Sequence, residues 1–437
     1  MNAPAASGPR KANLTAVLVA LVAGLVAGVG VEMLLPANVA SGIVDNFTRP
    51  VGDMWLAGIF MIVVPLLVSA LILGVSDLGD VARVGRIGLR ALLMTVLLSG
   101  LAVILGILAV NTIQPGRGID PEQRESIIKE YQSDAEKRGK VAEAPTQDPP
   151  VLGLIPRNPL LEATRALQGG LLPLMVFAVV FGLGMAMCPP EQVAGLRAFL
   201  DGLFAVSQKV IEMVMLLAPI GVFCLVFTTG AKLGWEVFLV VGKYALLVLA
   251  VLAIHLFGVY SLVLAWVAKR DPRQFFRQMR TVMLTAFATS SSNATLPTAL
   301  KSATEDVGLP KDVSSFVLTV GATANQNGTA LFEGITILFF CQLFGIDLNM
   351  AQQLTVMGVC IVAGVGTAGV PGGAWPVIAS VLAGLGVPAN SIGLVLGIDR
   401  ILDMSRTVLN VTGDMTIAAC VAQMEGRGME SPESVQS

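Results

Sequence analysis

Apolar runs of the length needed to cross a bilayer, about 20 residues, recur through the first 270 positions. Residues 13–36, 52–76, 88–113, 158–187, 203–230 and 238–268 each predict one membrane-spanning helix. The run at 13–36 exceeds the apolar core of a secretory signal, about 7–15 residues, so it is expected to stay as a helix. Arg83, Arg86 and Arg90 separate the second run from the third. Lys269, Arg270, Arg273, Arg277 and Arg280 follow the sixth. Short basic connections mark the cytoplasmic side, and both fit a cytoplasmic N-terminus. Residues 114–150 are polar, with eight acidic side chains against six basic ones. Three crossings would put this stretch outside as a solvated, variable loop.

From about residue 280 the pattern changes. In TVMLTAFATSSSNATLPTALKSATEDVG, short apolar arms flank a small, polar middle from Ala288 to Thr295. The stretch 351–387 repeats this design around a Gly/Pro tip. Irregular backbone at membrane depth persists only where protein or a cavity surrounds it. A pair of interrupted segments in corresponding positions points to a transporter binding site. Both are expected to be re-entrant helical hairpins. The tips share a loose pattern, Ala294-Thr295-Leu296-Pro297 against Ala368-Gly369-Val370-Pro371. Each is followed by Asn-x-x-Gly and a polar residue, at Asn325 to Thr329 and at Asn410 to Asp414. An internal hairpin–helix duplication follows from that order.

The last apolar helix, about 391–422, carries Asp399, Arg400, Asp403, Arg406, Asn410 and Asp414. At about 100° per residue, Asp399, Asp403, Arg406, Asn410 and Asp414 fall within a sector of roughly 80°. Ionisable groups inside a membrane are costly and mark function by default. A ladder of ion pairs between helices would explain one Asp–Arg couple, but not a one-faced row beside two broken helices.

Composition agrees with the spans: 54% hydrophobic, 13% charged and a mean hydropathy of +0.77, where soluble chains carry about 25% charged residues. The net charge of −2 gives no basic field for nucleic acid. Cys188, Cys224, Cys341, Cys360 and Cys420 are widely spaced and read as packing residues. His255, the single histidine, lies in an apolar run and is read as structural. Without a base partner the serine run makes no nucleophile, and there is no phosphate-binding Gly-Lys-Ser/Thr loop. The chain is expected not to be an enzyme and to need no bound cofactor. An anion-conducting channel is the competing class, but no filter motif supports it.

Three motifs, Ser290-Ser291-Ser292-Asn293-Ala294-Thr295-Leu296-Pro297, Gly366-Thr367-Ala368-Gly369-Val370-Pro371-Gly372 and the row from Asp399 to Asp414, resemble those of the glutamate/aspartate transporter family. These are the dicarboxylate/amino acid:cation symporters. Ile155-Pro156-Arg157-Asn158-Pro159 and Ala218-Pro219-Ile220-Gly221-Val222-Phe223 are also similar, so the likeness runs from about 80 to 420. The resemblance implies an all-α polytopic membrane protein with eight transmembrane helices, two re-entrant hairpins and inverted repeats. It also implies a homotrimer in which a transport domain moves like an elevator against a scaffold. Mapped here, residues 1–84 and 158–234 are scaffold, and 85–113 is the third helix, belonging to the transport domain. Residues 114–157 are the outer loop, 235–424 the rest of the transport domain with hairpins at about 272–302 and 351–387, and 425–437 a cytoplasmic tail. A bacterial inner membrane is the expected location.

The resemblance further implies roles. Arg406 would clamp a substrate side-chain carboxylate, since a guanidinium fork matches carboxylate geometry. Asp403 would take the α-ammonium, and Asn410 and the backbone around Ser292 the α-carboxylate. Ser291, Asn293, Thr329, Thr407, Val370, Pro371 and Gly372 would complete the pocket. Asp403 together with Arg406 favours an acidic amino acid over a C4-dicarboxylate or a neutral substrate. Trp375 is bulkier than the small residues usual beside the family's tip.

The ion motif departs from the pattern. Sodium-coupled members carry Asn-Met-Asp-Gly-Thr where this chain has Asn325-Gln326-Asn327-Gly328-Thr329. Gln326 replaces the methionine tied to coupling, and Asn327 lacks the carboxylate charge. Thr95, Leu98 and Ser99 fall at the partner positions of the third helix, where Leu98 offers no oxygen to a hard cation. Gly321, Asn325, Asn410 and Asp414 keep the makings of a residual sodium site. Coupling is therefore expected to use fewer sodium ions, protons or none, with Asp399, Asp414 and Glu333 as proton-carrying candidates. Arg400 is expected to neutralise Asp399 or Asp403 in the empty carrier.

Overall fold

The computed structural model describes residues 14–83, 86–117, 124–125, 128–129, 155–166, 171–366 and 373–427. Among them there is no strand. The main helices are α1 (Leu14–Leu34), α2 (Arg49–Met61), α3 (Val63–Arg83), α4 (Arg86–Ile113), α5 (Leu171–Met187), α6 (Pro190–Leu216) and α7 (Ala218–Leu233). They continue as α8 (Glu236–Ile254), α9 (Tyr260–Trp266), α10 (Arg280–Thr289), α11 (Ser292–Glu305), α12 (Lys311–Ala324) and α13 (Asn327–Phe344). The last are α14 (Met350–Gly366), α15 (Trp375–Gly384) and α16 (Asp399–Met424). Five described helical stretches are long and apolar enough to cross a membrane, or six if the bent pair α6–α7 is one span.

Several predicted spans are divided. The run 203–230 bends by 58° at Leu217 between α6 and α7. Pro219 sits in the first turn of α7, where its missing N–H is harmless but its ring ends the helix before it. The run 158–187 begins with a separate short helix, Pro159–Thr164, capped by Asn158, whose side chain accepts from the Leu160 and Leu161 amides. The run 238–268 is one path from α8 to α9, but with a wide π-helical turn at His255–Val259.

The segment predicted to break near 290 does so. Ser290 adopts a left-handed conformation (φ 51, ψ 33), and Ser291 is extended and caps α11 by accepting from the Ala294 amide. At about 1.5 Å per residue, α10 with 10 residues and α11 with 14 each fall short of a hydrocarbon core about 30 Å thick. In the second segment expected to break, α14 and α15 flank residues 367–372. The predicted tip residues Val370, Pro371 and Gly372 therefore lie outside the described residues, as do most of the outer loop and residues 428–437.

A third break was not expected. Between α12 and α13 the backbone leaves the helical region at Asn325 (φ −113, ψ 87) and Gln326 (φ −113, ψ 55). The final helix also starts later than predicted, at Asp399, after a short turn Gly393–Leu396. α16 packs against α10, α11, α12 and α13 and is buried almost throughout. By contrast α1 turns Val19, Val22, Val26 and Met33 outward, as a lipid-facing helix would.

Candidate functional site

The site is built where α16 crosses the break between α12 and α13. Asp399, Asp403, Arg406, Thr407, Asn410 and Asp414 are all buried along α16. Their spacing places them on one stripe of the helix, and that stripe faces protein instead of lipid.

At one end Arg406, 2% exposed, holds two carboxylates. Its Nη2 donates to Asp403 Oδ1 at 2.6 Å and to Asp399 Oδ1 at 3.2 Å. Its guanidinium carbon lies 3.9 Å from the centroid of the Phe332 ring, a cation–π arrangement. Nε and Nη1 are buried with no hydrogen-bond partner among the described residues. A buried donor left unmet costs about 1–3 kcal/mol, so this edge of the guanidinium is suited to an incoming acceptor. Arg400 is half-buried and forms no ion pair among the described residues. Arg406 itself, not Arg400, joins Asp399 and Asp403.

In the middle, Asn410 ties α16 to the break. Its Oδ1 accepts from the Gly328 amide at 2.7 Å, and its Nδ2 donates to Gln326 Oε1 at 2.5 Å and Thr329 Oγ1 at 3.3 Å. The Thr407 hydroxyl donates to the Asp403 carbonyl. Ser292 from α11 is buried with its hydroxyl unpartnered among the described residues, as is Ser290. Asn293 is half-buried beside them.

At the far end stand two different polar clusters. In the first, Asn325 Nδ2 donates to Asp414 Oδ1 at 2.7 Å, while Asn325 Oδ1 is buried without a partner among the described residues. Gly321 makes this approach possible, because a Cβ there would lie 2.4 Å from Asp414 Oδ1. An orphaned amide oxygen beside a buried carboxylate is an oxygen set suited to a hard cation. In the second cluster, Asn327 is fully occupied by protein. Its Oδ1 accepts a short hydrogen bond from Ser99, and its Nδ2 donates to Tyr260 Oη at 3.0 Å. Tyr260 in turn donates to the Leu409 carbonyl at 3.2 Å. Leu98, fully buried, adds no oxygen. This neutral, satisfied cluster does not fit a cation. Glu333 is buried on α13.

Some members of the site were not foreseen. Phe332 carried no sequence signal, and Tyr260 reads as one more aromatic in an apolar run. His255, read as structural, lies edge-on to Tyr260 with ring centroids 4.9 Å apart and is fully buried. Trp375 stood out only for its bulk, whereas its indole N–H donates to Asp399 Oδ2 at 2.7 Å.

The sequence is similar to known proteins along most of its length. A profile of the sodium:dicarboxylate symporter family matches residues 14–424. The proton/sodium-glutamate symport protein of Bacillus subtilis (strain 168) is 35% identical over 404 residues, covering 92% of this chain and 91% of that protein. The proton/glutamate-aspartate symporter of Escherichia coli (strain K12) is 34% identical over 385 residues, 88% of this chain and 86% of its own. A C4-dicarboxylate transport protein of Anaeromyxobacter sp. (strain K) is 29% identical over 415 residues, with 94% and 89% covered. An all-helical membrane chain with these broken helices, matched along nearly its whole length, belongs to the sodium:dicarboxylate symporter family: it is a transporter, not an enzyme.

Proposed function

We propose that this protein carries acidic amino acids, L-aspartate and L-glutamate, across a bacterial inner membrane with its N-terminus cytoplasmic, as a homotrimer working by an elevator mechanism. The observation that carries the substrate reading is the buried Asp403–Arg406 pair with Arg406 Nε and Nη1 unpartnered. A zwitterionic diacid offers one group to each: its ammonium to Asp403 and its side-chain carboxylate to Arg406. A plain C4-dicarboxylate would leave Asp403 facing a second anion, which like-charge repulsion disfavours. Asn410, Thr329, Thr407, Ser291, Ser292 and Asn293 supply the remaining polar contacts, and Val370, Pro371 and Gly372 complete the pocket. Residues 85–113 and 235–424 form the moving domain, and 1–84 with 158–234 the scaffold.

The ion reading is reduced sodium coupling. Asp414, with Asn325, Asn410 and the Gly321 carbonyl, would hold one co-transported cation, and the Asn327 position would hold none. Protons carried by Asp399, Asp414 or Glu333 are the alternative to sodium. Uptake of labelled L-aspartate into proteoliposomes, with sodium and proton gradients imposed separately, tests both points. Concentrative uptake on a sodium gradient, first order in sodium, is expected. A sodium order of two or more, or uptake of succinate with no response to aspartate, would defeat the reading.

A further inference from the structure

Trp375 opens α15 and is 1% exposed. It touches two of the three groups that hold the Arg406 guanidinium, Asp399 and Phe332. Its Nε1 donates to Asp399 Oδ2 at 2.7 Å, while Asp399 Oδ1 accepts from Arg406 Nη2 at 3.2 Å. Its ring also meets Phe332 edge-on, centroids 5.4 Å apart and planes at 89°, and Phe332 lies under the guanidinium. The division of the Asp399 carboxylate matters. Arginine and carboxylate prefer a bidentate fork, two parallel N–H···O bonds. Here the indole takes Oδ2, and Asp399 meets Arg406 through Oδ1 alone. Arg406 is thus held by one oxygen of Asp399 and one of Asp403, and Nε and Nη1 stay uncommitted.

We propose that Trp375 is a specificity-determining positioning residue. By competing for Asp399 Oδ2 it disfavours a closed Asp399–Arg406 fork and keeps the guanidinium presented to a substrate carboxylate. The proposal rests on Arg406 being the carboxylate clamp of the transporter. Filling the space would need only an apolar ring; the indole N–H is the part that acts.

The test uses the full-length protein, purified and assayed by calorimetric binding of L-aspartate. Trp375→Phe keeps a ring and removes the N–H, so Asp399 is released to close on Arg406. Aspartate affinity is expected to fall by about tenfold, the scale of a hydrogen bond to a charged group. Trp375→His, which retains a ring N–H, should lose less. Adding Asp399→Asn to Trp375→Phe removes the competing carboxylate and should restore most of the affinity, a rescue that a filler role for the indole would not give. Wild-type affinity in Trp375→Phe, or a double variant as weak as or weaker than the single, overturns the proposal. The wild-type control separates it from the substrate reading. If wild-type protein binds succinate and not aspartate, that reading fails, and the same variants titrated with succinate decide the clamp. Binding of neither diacid overturns both.

Discussion

Asn325 and Asn327 stand two residues apart at the same interruption of the helix path, and their amides end in opposite circumstances. Asn325 gives its N–H to the Asp414 carboxylate and leaves its oxygen unpartnered. Asn327 spends both ends on neutral groups, Ser99 and Tyr260. The first cluster retains a negative charge and a free acceptor. The second is a closed set of hydrogen bonds. The identity of a ligand-type side chain therefore decides less than whether its oxygen is already committed. A buried amide with both ends satisfied is stable by itself, and nothing in its surroundings calls for an ion.

The largest way to break this contrast is Asp414→Asn. Removing the only carboxylate of the first cluster is expected to weaken cation-dependent aspartate binding by roughly 100-fold, read from sodium titrations of substrate affinity. An unchanged sodium midpoint would put the cation elsewhere. Asn327→Asp sharpens the contrast from the other side. Ser99 and Tyr260 can both donate to a carboxylate, so a charged site would form where a neutral network stood. Saturating sodium at 100 times its dissociation constant would then add about 2.7 kcal/mol of stability. The melting midpoint of the variant should rise with sodium well beyond that of the wild type. Sodium-independent melting would show the position to be closed to cations even with the charge restored. The smallest effect is expected for Tyr260→Phe, which removes the acceptor of the Asn327 N–H. It should cost about 1 kcal/mol of stability and leave the sodium order unchanged. A shift in that order would tie the second cluster to coupling after all.

Much of this arrangement was legible in the chain because two periodicities were strong. Apolar runs of about 20 residues marked the membrane, and the row from Asp399 to Asp414 repeated with the helix turn. The break at Ser290 was legible from a serine run between short apolar arms, since these residues compete with helical backbone bonds. The break at Asn325–Gln326 was not. Ala-Thr-Ala-Asn-Gln-Asn contains no proline, and tertiary bonds from Asn410 and Asp414 hold it out of helix. The bend at Leu217 had a local cause in Pro219, masked by the apolar run around it. Trp375 and Asp399 lie 24 residues apart, and no periodicity links an indole to a carboxylate at that distance. That Arg406 reaches both acids by itself was not foreseen beside the role expected of Arg400.

The wide turn at His255–Val259 is a matter of phase. Tyr244 and Tyr260 are sixteen residues apart, so on an unbroken α-helix they would point about 160° away from each other. Yet Tyr244 bonds Thr336 and Tyr260 bonds Asn327, two residues of the same helix α13. A π-type turn accommodates about one extra residue and so resets the helix by about 100°, bringing both hydroxyls round to one neighbour. A single-residue deletion within 255–259 would leave the span apolar and nearly as long, but would turn Tyr260 away from Asn327. The span works here as a vernier, in which one inserted residue sets which polar group of α13 each tyrosine meets.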